Sequence, residues 1–289
     1  IKTPYHKLAK IMHEYDGLAF VDFAASAPYV DIDMHPEDPD EKLDAIFFSP
    51  HKFLGGPGSS GIMIFDKRLY HNPVPDNPGG GTVDWTNRWG QYKYVDDIEA
   101  REDGGTPGFL QLIRAALAIE LKEKMGTEKI EAREEELVQL AFKELRKLPG
   151  IHILADSIED RLGVMSFYHT NIHYNLIVKL LSDKYGIQVR GGCACAGTYG
   201  HYLLNVSYQD SKKITDLINH GDLSQKPGWV RWSLHPTMTD KEIHYFINAM
   251  REIIENIDKW SQEYEYNKHT NEFDHKNFQA FDVKSWFKL

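Results

Sequence analysis

The sequence is poor in cysteine, in positive charge and in long apolar runs. Only two of its 289 residues are cysteines, Cys193 and Cys195, so a disulfide framework is excluded and a reducing cytoplasm is expected. Its 33 basic residues are outnumbered by 43 acidic ones, which argues against nucleic acid or an anionic membrane as a partner. No run of about 18 uncharged apolar residues is present, and the first residues lack the apolar core of a signal peptide, so no membrane segment is predicted.

The remaining composition is that of a globular protein. Apolar residues make up 42% of the chain and charged residues 26%, and the length favours about two domains. Residues 5–15 carry a helical apolar pattern, and short apolar runs follow at 18–22, 45–49 and 61–65. Runs of this kind, bounded by turn residues, predict strands covered on both faces, the pattern of an α/β sheet.

A change in element size suggests where the domains divide. We expect a large α/β domain over residues 1–125, a smaller α+β domain over 126–260 and a tail over 261–289. The elements predicted after residue 108 are helices at 109–125, 128–148, 174–185 and from Thr239, and strands at 151–155, 162–168 and 187–190. The tail is rich in aromatic rings, which we expect to pack on this chain or on a partner subunit.

Two other patterns have simpler interpretations than the sites they suggest. Residues 31–44 hold seven acids in fourteen positions, and such a charge run predicts a solvated loop rather than a metal site. Residues 56–61, GPGSSG, match the letters of a dinucleotide-binding loop. Because a predicted strand follows them where that loop needs a helix, a tight turn is favoured.

Asp22 and Lys52 lie at and just beyond the ends of the first two predicted strands. If these strands are parallel, both side chains reach one edge of the sheet, where open α/β sheets bind ligands. An acid and a lysine together suit pyridoxal phosphate (PLP), because the amine binds the cofactor and the acid keeps its pyridine nitrogen protonated. An ordinary ion pair between the two residues is the alternative.

The chain contains four distinctive stretches, in this order: VDFAAS with FFSPHKFLGGPGSSG, then EDGGTPG, VRGGCACAG and VRWSLHPTMTDKEI. Together they resemble the class V aminotransferase-fold enzymes, the group that contains cysteine desulfurases. The resemblance covers about residues 5–255, with an extra stretch near 202–228. It implies a PLP-dependent transferase of fold type I, with a large domain incomplete at its N-terminus and a smaller α+β C-terminal domain.

The resemblance also implies the residues that hold the cofactor. Lys52 would bond to PLP and act as the catalytic base, and Asp22 would pair with the ring nitrogen. Ser49 and His51 would contact the phosphate. Thr106 would reach the phosphate of the neighbouring subunit, which implies a homodimer.

The same resemblance suggests a substrate site and a nucleophile. Arg231, together with Arg190, would bind the α-carboxylate of the substrate, a task that suits a guanidinium fork. Cys195 stands where desulfurases place the sulfur-accepting cysteine, in a glycine-rich loop that should favour thiolate. Cys193 would be a second acceptor or a resolving thiol; a zinc site of both cysteines with His201, or two inert thiols, are the alternatives.

The chain departs from the family pattern in two ways. Ala25 stands where desulfurases usually carry a glutamine that touches the ring hydroxyl. The N-terminal part of the large domain, which supplies an aromatic ring over the cofactor and a phosphate-binding loop, has no counterpart here. We therefore expect a fragment, which in isolation could be inactive.

The predicted function is that of a PLP-dependent lyase or sulfurtransferase of the cysteine desulfurase type. It would act on an amino acid, form a persulfide on Cys195 and pass sulfur to an acceptor protein. One alternative is another class V reaction, by an aminotransferase, an epimerase or a β-lyase, which Ala25 favours. The other is a non-catalytic remnant of the fold that serves in dimerisation or partner binding. No metal ion is expected.

Overall fold

The computed structural model describes residues 2–193, 196–279 and 283–287. By its own contacts the chain divides into two units, Lys2–Glu131 and Ala132–Leu289. Within the described residues, no helix combines the length and the apolar character needed to cross a membrane.

The first unit is built on a three-stranded sheet with the strand order β1-β2-β3. Its first two strands are parallel, with Phe20 opposite Ala45 and Asp22 opposite Phe47, and β3 is antiparallel to β2. A separate antiparallel pair joins β4 to β5. The elements are α1 (Tyr5–Glu14), β1 (Phe20–Asp22), β2 (Ala45–Phe48), β3 (Ile62–Phe65), β4 (Val83–Thr86), β5 (Tyr92–Tyr94), α2 (Ile98–Glu102) and α3 (Phe109–Met125).

The core of the first unit lies on one side of this sheet. It is formed by small and aromatic side chains from α1, the sheet and α3, among them Ala9, Phe23 and Ala118. On the other side, Phe20 is 53% exposed and Met63 is 56% exposed. Among the described residues, the expectation that these strands are covered on both faces is therefore not met, because alternate side chains of a strand point to opposite faces and large side chains on one face stay exposed.

The second unit is built on an antiparallel sheet with the strand order β6-β7-β9-β8. Helices α4, α5 and α8 supply apolar side chains to its core, where Trp232 of the sheet stacks on Phe246 at 3.7 Å between ring centroids. The elements are α4 (Thr127–Leu145, which begins before the boundary), β6 (Ile151–Ile153), β7 (Val164–His169), α5 (Tyr174–Tyr185), β8 (Arg190–Gly192), α6 (Gly197–Leu203), α7 (Tyr208–Asn219), β9 (Trp229–Ser233), α8 (Asp240–Trp260), β10 (Tyr264–Asn267) and β11 (Glu272–His275).

Two of the element boundaries that differ from the prediction have clear local reasons. Helix α4 ends at Leu145 rather than Leu148, where the amide of Leu148 already bonds to the carbonyl of Leu145 in a turn. A residue that precedes proline disfavours the helical conformation, so the helix stops short of Pro149. Strand β8 begins at Arg190 instead of ending there, because its two glycines carry no apolar pattern yet still pair with β9.

Part of the tail packs on its own chain. Strands β10 and β11 form an antiparallel hairpin, in which Tyr264 is buried and Phe273 packs against the core of the second unit. Phe278, Trp286 and Phe287 are exposed. The predicted packing of the aromatic tail on this chain is thus found for the hairpin, and the ring of Phe278 lies 5.6 Å from the ammonium of Lys179.

Candidate active site

The parallel pairing of β1 and β2 brings two chemically active segments to one edge of the sheet. Asp22 is the last residue of β1 and lies opposite Phe47, while Ser49 follows β2 directly. A short 3-10 turn, Pro50–Lys52, then continues the chain beyond that edge. Since the carboxyl ends of parallel strands share one edge, the carboxylate of Asp22 and the segment that carries Lys52 leave the sheet on the same side.

The two charged groups at this edge are not paired with each other. One oxygen of the Asp22 carboxylate accepts a hydrogen bond of 2.8 Å from the backbone N–H of Ala24. Neither its second oxygen nor the ammonium of Lys52 has a hydrogen-bond or ion-pair partner within the part of the chain that is described. Asp22, His51 and Lys52 are exposed. The ordinary ion pair between Asp22 and Lys52 is therefore not formed.

The turn that carries Lys52 is held in place by packing and hydrogen bonds of the residues that follow it. Phe53 is buried in the core of the first unit and stacks on Phe48. A Cβ atom on Gly56 would collide with the carbonyl oxygen of Pro50, so only glycine allows the chain to fold back this closely. Arg114 of α3 donates a 2.6 Å hydrogen bond to the carbonyl of Pro57. An exposed lysine on a turn that is anchored by buried residues is the arrangement expected of a preorganised site.

Thr106 lies apart from these groups in the sequence, in an exposed bend before α3. Close backbone contacts hold this bend, and the N–H of Gly105 donates to the carbonyl of Gly80 at 2.9 Å. A Cβ atom on Gly79 would lie 2.9 Å from the carbonyl carbon of Gly104, and one on Gly104 would collide with the carbonyl oxygen of Asn77. The assignment of Thr106 to a neighbouring subunit stays a prediction.

Arg190 and Arg231 face each other in the second unit. They are directly opposite residues of the antiparallel strands β8 and β9, so their side chains extend from the same face of the sheet. The Nε atom of Arg231 is buried and has no hydrogen-bond partner among the described residues. A buried donor without a partner costs free energy, so Nε of Arg231 suits a bound carboxylate.

The register that pairs these two arginines was not predicted from the sequence. Arginine follows valine in both segments, VRGG (189–192) and VRWS (230–233). This local pattern marks both as strand candidates but does not state that the two strands are neighbours.

The cysteine loop is described as far as Cys193, and Cys195 lies outside the described residues. The thiol of Cys193 is half-buried and donates a 2.8 Å hydrogen bond to the carbonyl of Pro227. Burial raises the pKa of the Cys193 thiol, against a smaller opposing effect of Lys226, so this cysteine is a protonated donor near neutral pH.

His201, which belongs to the alternative zinc site, has a hydrogen-bond partner at each ring nitrogen. Nδ1 of His201 donates to the carbonyl of Gly197 at 2.9 Å, and its Nε2 lies 3.0 Å from the hydroxyl of Ser211. One ring nitrogen is thus engaged within α6 and the other by a residue of α7. In the described ranges no three His, Cys, Asp or Glu side chains converge on a common point.

The residues at the edge of the first sheet fit the chemistry of PLP. Among the described residues, the amine of Lys52 has no partner and suits the aldehyde of PLP, and the carboxylate of Asp22, with one oxygen unbonded, suits the protonated pyridine nitrogen. The hydroxyl of Ser49 and the imidazole of His51 would hold the phosphate.

Comparison with known proteins places the chain in a family. The Aminotransferase class-V family matches residues 1–246, and the chain belongs to this family. Probable cysteine desulfurases are 32% identical over 183 residues in Staphylococcus epidermidis (63% of this chain, 42% of the relative) and 30% identical over 195 residues in Halalkalibacterium halodurans (67% and 45%). The chain thus spans about half the length, or less, of the curated relatives it matches.

Solved structures agree on the fold. The apo structure of a cysteine desulfurase from Thermococcus onnurineus superposes with a TM-score of 0.69 at 25% identity, covering 88% of this chain and 56% of that one. A cysteine desulfurase from Escherichia coli gives a TM-score of 0.67 at 20% identity, with coverage of 87% and 55%. The predicted class V membership and fold type I architecture are confirmed; enzymes of this class depend on PLP.

Proposed function

We propose that the protein to which this chain belongs is a PLP-dependent enzyme of the cysteine desulfurase type, acting on cysteine. The observation that carries the proposal is the parallel pairing of β1 with β2, which directs Asp22 and the Lys52 segment to one sheet edge. The similarity to probable cysteine desulfurases supports the choice of substrate.

The cofactor would be held by residues of the first unit. Asp22 would accept a hydrogen bond from the pyridine N–H, and the hydroxyl of Ser49 and the imidazole of His51 would donate to phosphate oxygens. Nζ of Lys52 would bond to the cofactor in the resting enzyme. When bound, PLP supplies a ring that accepts electrons and stabilises negative charge at the α-carbon of the substrate.

The substrate would be oriented through its carboxylate. The buried, unpartnered Nε of Arg231 supports an assignment as the main anchor, with Arg190 beside it in register. Once the substrate amine has displaced the lysine, Nζ of Lys52 would remove the proton from the substrate α-carbon and hold it for return.

The sulfur step would use Cys195 as the nucleophile. Its thiolate would attack the sulfur of the substrate, forming an S–S bond while the bond between sulfur and the β-carbon breaks and its electron pair remains on carbon. Protonation of that carbon gives alanine. Cysteine and the enzyme thiol are thereby converted to alanine and an enzyme persulfide, with no external oxidant, and one difficult step is divided into easier ones.

We further propose a homodimer, in which Thr106 serves the site of the neighbouring subunit, and a sulfur-acceptor protein that takes the persulfide sulfur. The scarcity of cysteine in the sequence favours a reducing cytoplasm as the location.

Product analysis of the intact protein tests the assignment. With cysteine as substrate, the parent enzyme and its Cys193→Ala variant should form alanine, and the Cys195→Ala variant should form much less. Lys52→Ala should lose both turnover and the visible absorbance of the bound cofactor. Equal alanine formation with and without Cys195 would reject the persulfide role, and retained absorbance without Lys52 would reject the lysine.

A different class V reaction is favoured by one residue. Ala25 offers no polar group where a glutamine is usual in desulfurases. A screen of amino acids with the PLP-loaded protein separates the two: pyruvate, an oxo acid or an inverted stereocentre in place of alanine would indicate a β-lyase, an aminotransferase or an epimerase. A protein that takes up no PLP would be the non-catalytic remnant.

A further inference from the structure

The C-terminal hairpin, Tyr264–His275, lies beyond residue 246, where the family match ends. Its turn is unusual in conformation: Asn271 has φ = +60°, and its N–H donates to the carbonyl of Asn267 at 2.8 Å. Asparagine tolerates this left-handed conformation better than most residues. The position thus permits a polar side chain where glycine is otherwise common.

Asn271 is only 7% exposed, and each part of its amide is used. Its Nδ2 donates to the hydroxyl of Tyr174 at 2.6 Å, and its Oδ1 accepts from the hydroxyl of Tyr266 at 2.9 Å. Its backbone carbonyl accepts from the side-chain amide of Asn175. The turn of the hairpin is therefore fixed to the first residues of helix α5.

The same turn binds the end of the extra stretch, which we call the insert strap, residues 221–228. The N–H of Leu223 donates to the carbonyl of Lys268 at 2.8 Å. The ammonium of Lys268 pairs with Asp222 at 3.3 Å, and Nδ1 of His269 donates to the carbonyl of Gly221 at 2.8 Å. Three adjoining contacts thus attach one end of the insert strap to the hairpin.

Tyr174 links the hairpin to the other end of the insert strap. Its hydroxyl, which receives the bond from Asn271, donates in turn to the carbonyl of Lys226 at 3.2 Å. A Cβ atom on Gly228 would lie 2.5 Å from Cζ of Tyr174 and 2.8 Å from Cα of Gly192, and one on Gly191 would lie 3.2 Å from Cδ2 of the same ring. The ring of Tyr174 is therefore packed against the insert strap and against the strand that leads into the cysteine loop.

The last contact reaches the loop itself, where the thiol of Cys193 donates to the carbonyl of Pro227 in the insert strap. We propose that the C-terminal hairpin is a brace for the cysteine loop, with Asn271 and Tyr174 as positioning residues that hold the insert strap against Gly192 and Cys193. For turnover this rests on the proposed function, because the loop matters there only if Cys195, two residues beyond Cys193, accepts sulfur.

Thiol reactivity tests the brace without requiring any enzymatic activity. In a Cys195→Ser background Cys193 is the only cysteine of these 289 residues, so its alkylation by iodoacetamide, measured on its own peptide by mass spectrometry, reports the loop directly. Tyr174→Phe keeps the ring and loses the relayed hydrogen bonds, and Asn271→Gly keeps the backbone conformation and loses the side chain. We expect each to accelerate alkylation about three- to ten-fold, because each removes neutral hydrogen bonds that hold the insert strap in place.

A matched control and a denaturant series separate bracing from general loosening. Tyr245→Phe removes an exposed hydroxyl that donates to the carbonyl of Tyr185 at 3.0 Å, outside the brace, and should leave the rate unchanged. In the brace variants the accelerated rate should be independent of urea below the unfolding transition, as expected for local opening. Rates equal to that of the parent, or acceleration that appears only as urea unfolds the protein, would overturn the brace. If one brace variant does not fold, the other decides.

Steady-state kinetics of the intact PLP-loaded protein, with Cys195 restored, give the second measurement. The brace variants should lower kcat and leave KM for cysteine unchanged, because Arg190 and Arg231 keep their places in the sheet. If the parent forms no alanine, the proposed function fails while the alkylation result still decides the brace. If the parent is active and the brace variants are faster in alkylation but unchanged in kcat, the loop is braced but the brace does not serve turnover.

Discussion

Asp44 is the buried member of the otherwise solvated acidic run, at 1% exposure. Its carboxylate accepts hydrogen bonds from the N–H of Ala19 at 2.9 Å and from Nε2 of His13 at 2.9 Å, and it pairs with Arg68 at 3.0 Å. Although burial acts to raise the pKa of Asp44, these bonds hold it below its usual value. The hydrogen bond to Asp44 in turn raises the pKa of His13. One buried charge thus fastens α1, the start of β1 and the turn after β3 together.

This cluster predicts a pH window for stability. His13, whose folded pKa is raised, contributes fully below its unfolded value of about 6.5 and loses that contribution as the pH rises through the folded pKa. Asp44, whose folded pKa is lowered, contributes above about 3.9 and loses it as the pH falls through the folded pKa. Urea midpoints across this range should fall at both ends, and His13→Gln should abolish the fall on the alkaline side. An unchanged pH profile in that variant would contradict the role of His13.

Arg161 offers a second prediction at the scale of one residue. It is 7% exposed, donates to the carbonyls of Leu154 at 3.1 Å and Ile158 at 2.7 Å, and lies 4.8 Å from the ring of Phe142. Arg161→Ala leaves buried carbonyls without donors and should lower the free energy of unfolding by about 2–4 kcal/mol. The matched control is Arg146→Ala, whose exposed ion pairs should be worth at most about 1 kcal/mol. Similar urea midpoints for the two variants would contradict this assignment.

At the scale of elements, the start of helix α8 at Thr239 was predicted from the sequence, and a complete capping box is present there. The hydroxyl of Thr239 accepts from the N–H of Glu242, and the carboxylate of Glu242 accepts from the N–H of Thr239. Thr239→Ala should destabilise the second unit by about 1 kcal/mol, and Thr239→Ser should restore most of it. Chemical unfolding of the three proteins checks this; an alanine variant as stable as the parent would show that the cap is redundant.

The elements that sequence reasoning missed have weak local signals. Strands β10 and β11 are short, and only the alternation of Tyr264 and Tyr266 with acidic residues marks the first of them. Their turn is held by Asn271, two of whose partners, Tyr174 and Asn175, lie about a hundred residues earlier in the chain. Helix α7 in the insert has a cap at Ser207 that the sequence does show. Apolar periodicity reveals elements that pack through a large apolar face, whereas the turn of this hairpin is held by hydrogen bonds to residues that are distant in the sequence.

At the scale of the whole molecule, the residues proposed for the cofactor can be named from the sequence and its family resemblance, yet the position of Asp22 and Lys52 at one edge depends on strand direction. Short apolar runs do not state whether β1 and β2 are parallel, and this pairing alone directs Asp22 and Lys52 to one edge. The register that sets Arg190 opposite Arg231 is also tertiary information. A site residue that comes from another subunit is harder still to infer from the sequence, but its role can be tested by mixing subunits.

The proposed role of Thr106 predicts complementation between two defective subunits. Thr106→Glu should repel the cofactor phosphate and weaken fixation of PLP, and Lys52→Ala removes the lysine that bonds to it. If Thr106 acts across a homodimer, a mixed dimer contains one site that combines Lys52 of the Thr106→Glu polypeptide with Thr106 of the Lys52→Ala polypeptide. Because half of the dimers are mixed and one of their two sites is intact, random mixing restores about a quarter of all sites. Co-expression, borohydride reduction and mass measurement of the Thr106→Glu polypeptide should then show more PLP fixed to Lys52 than when it is expressed alone. A Lys52→Met, Thr106→Glu double variant as the partner is the control and should restore nothing. Equal fixation with and without the Lys52→Ala partner would place Thr106 in its own subunit or outside the site.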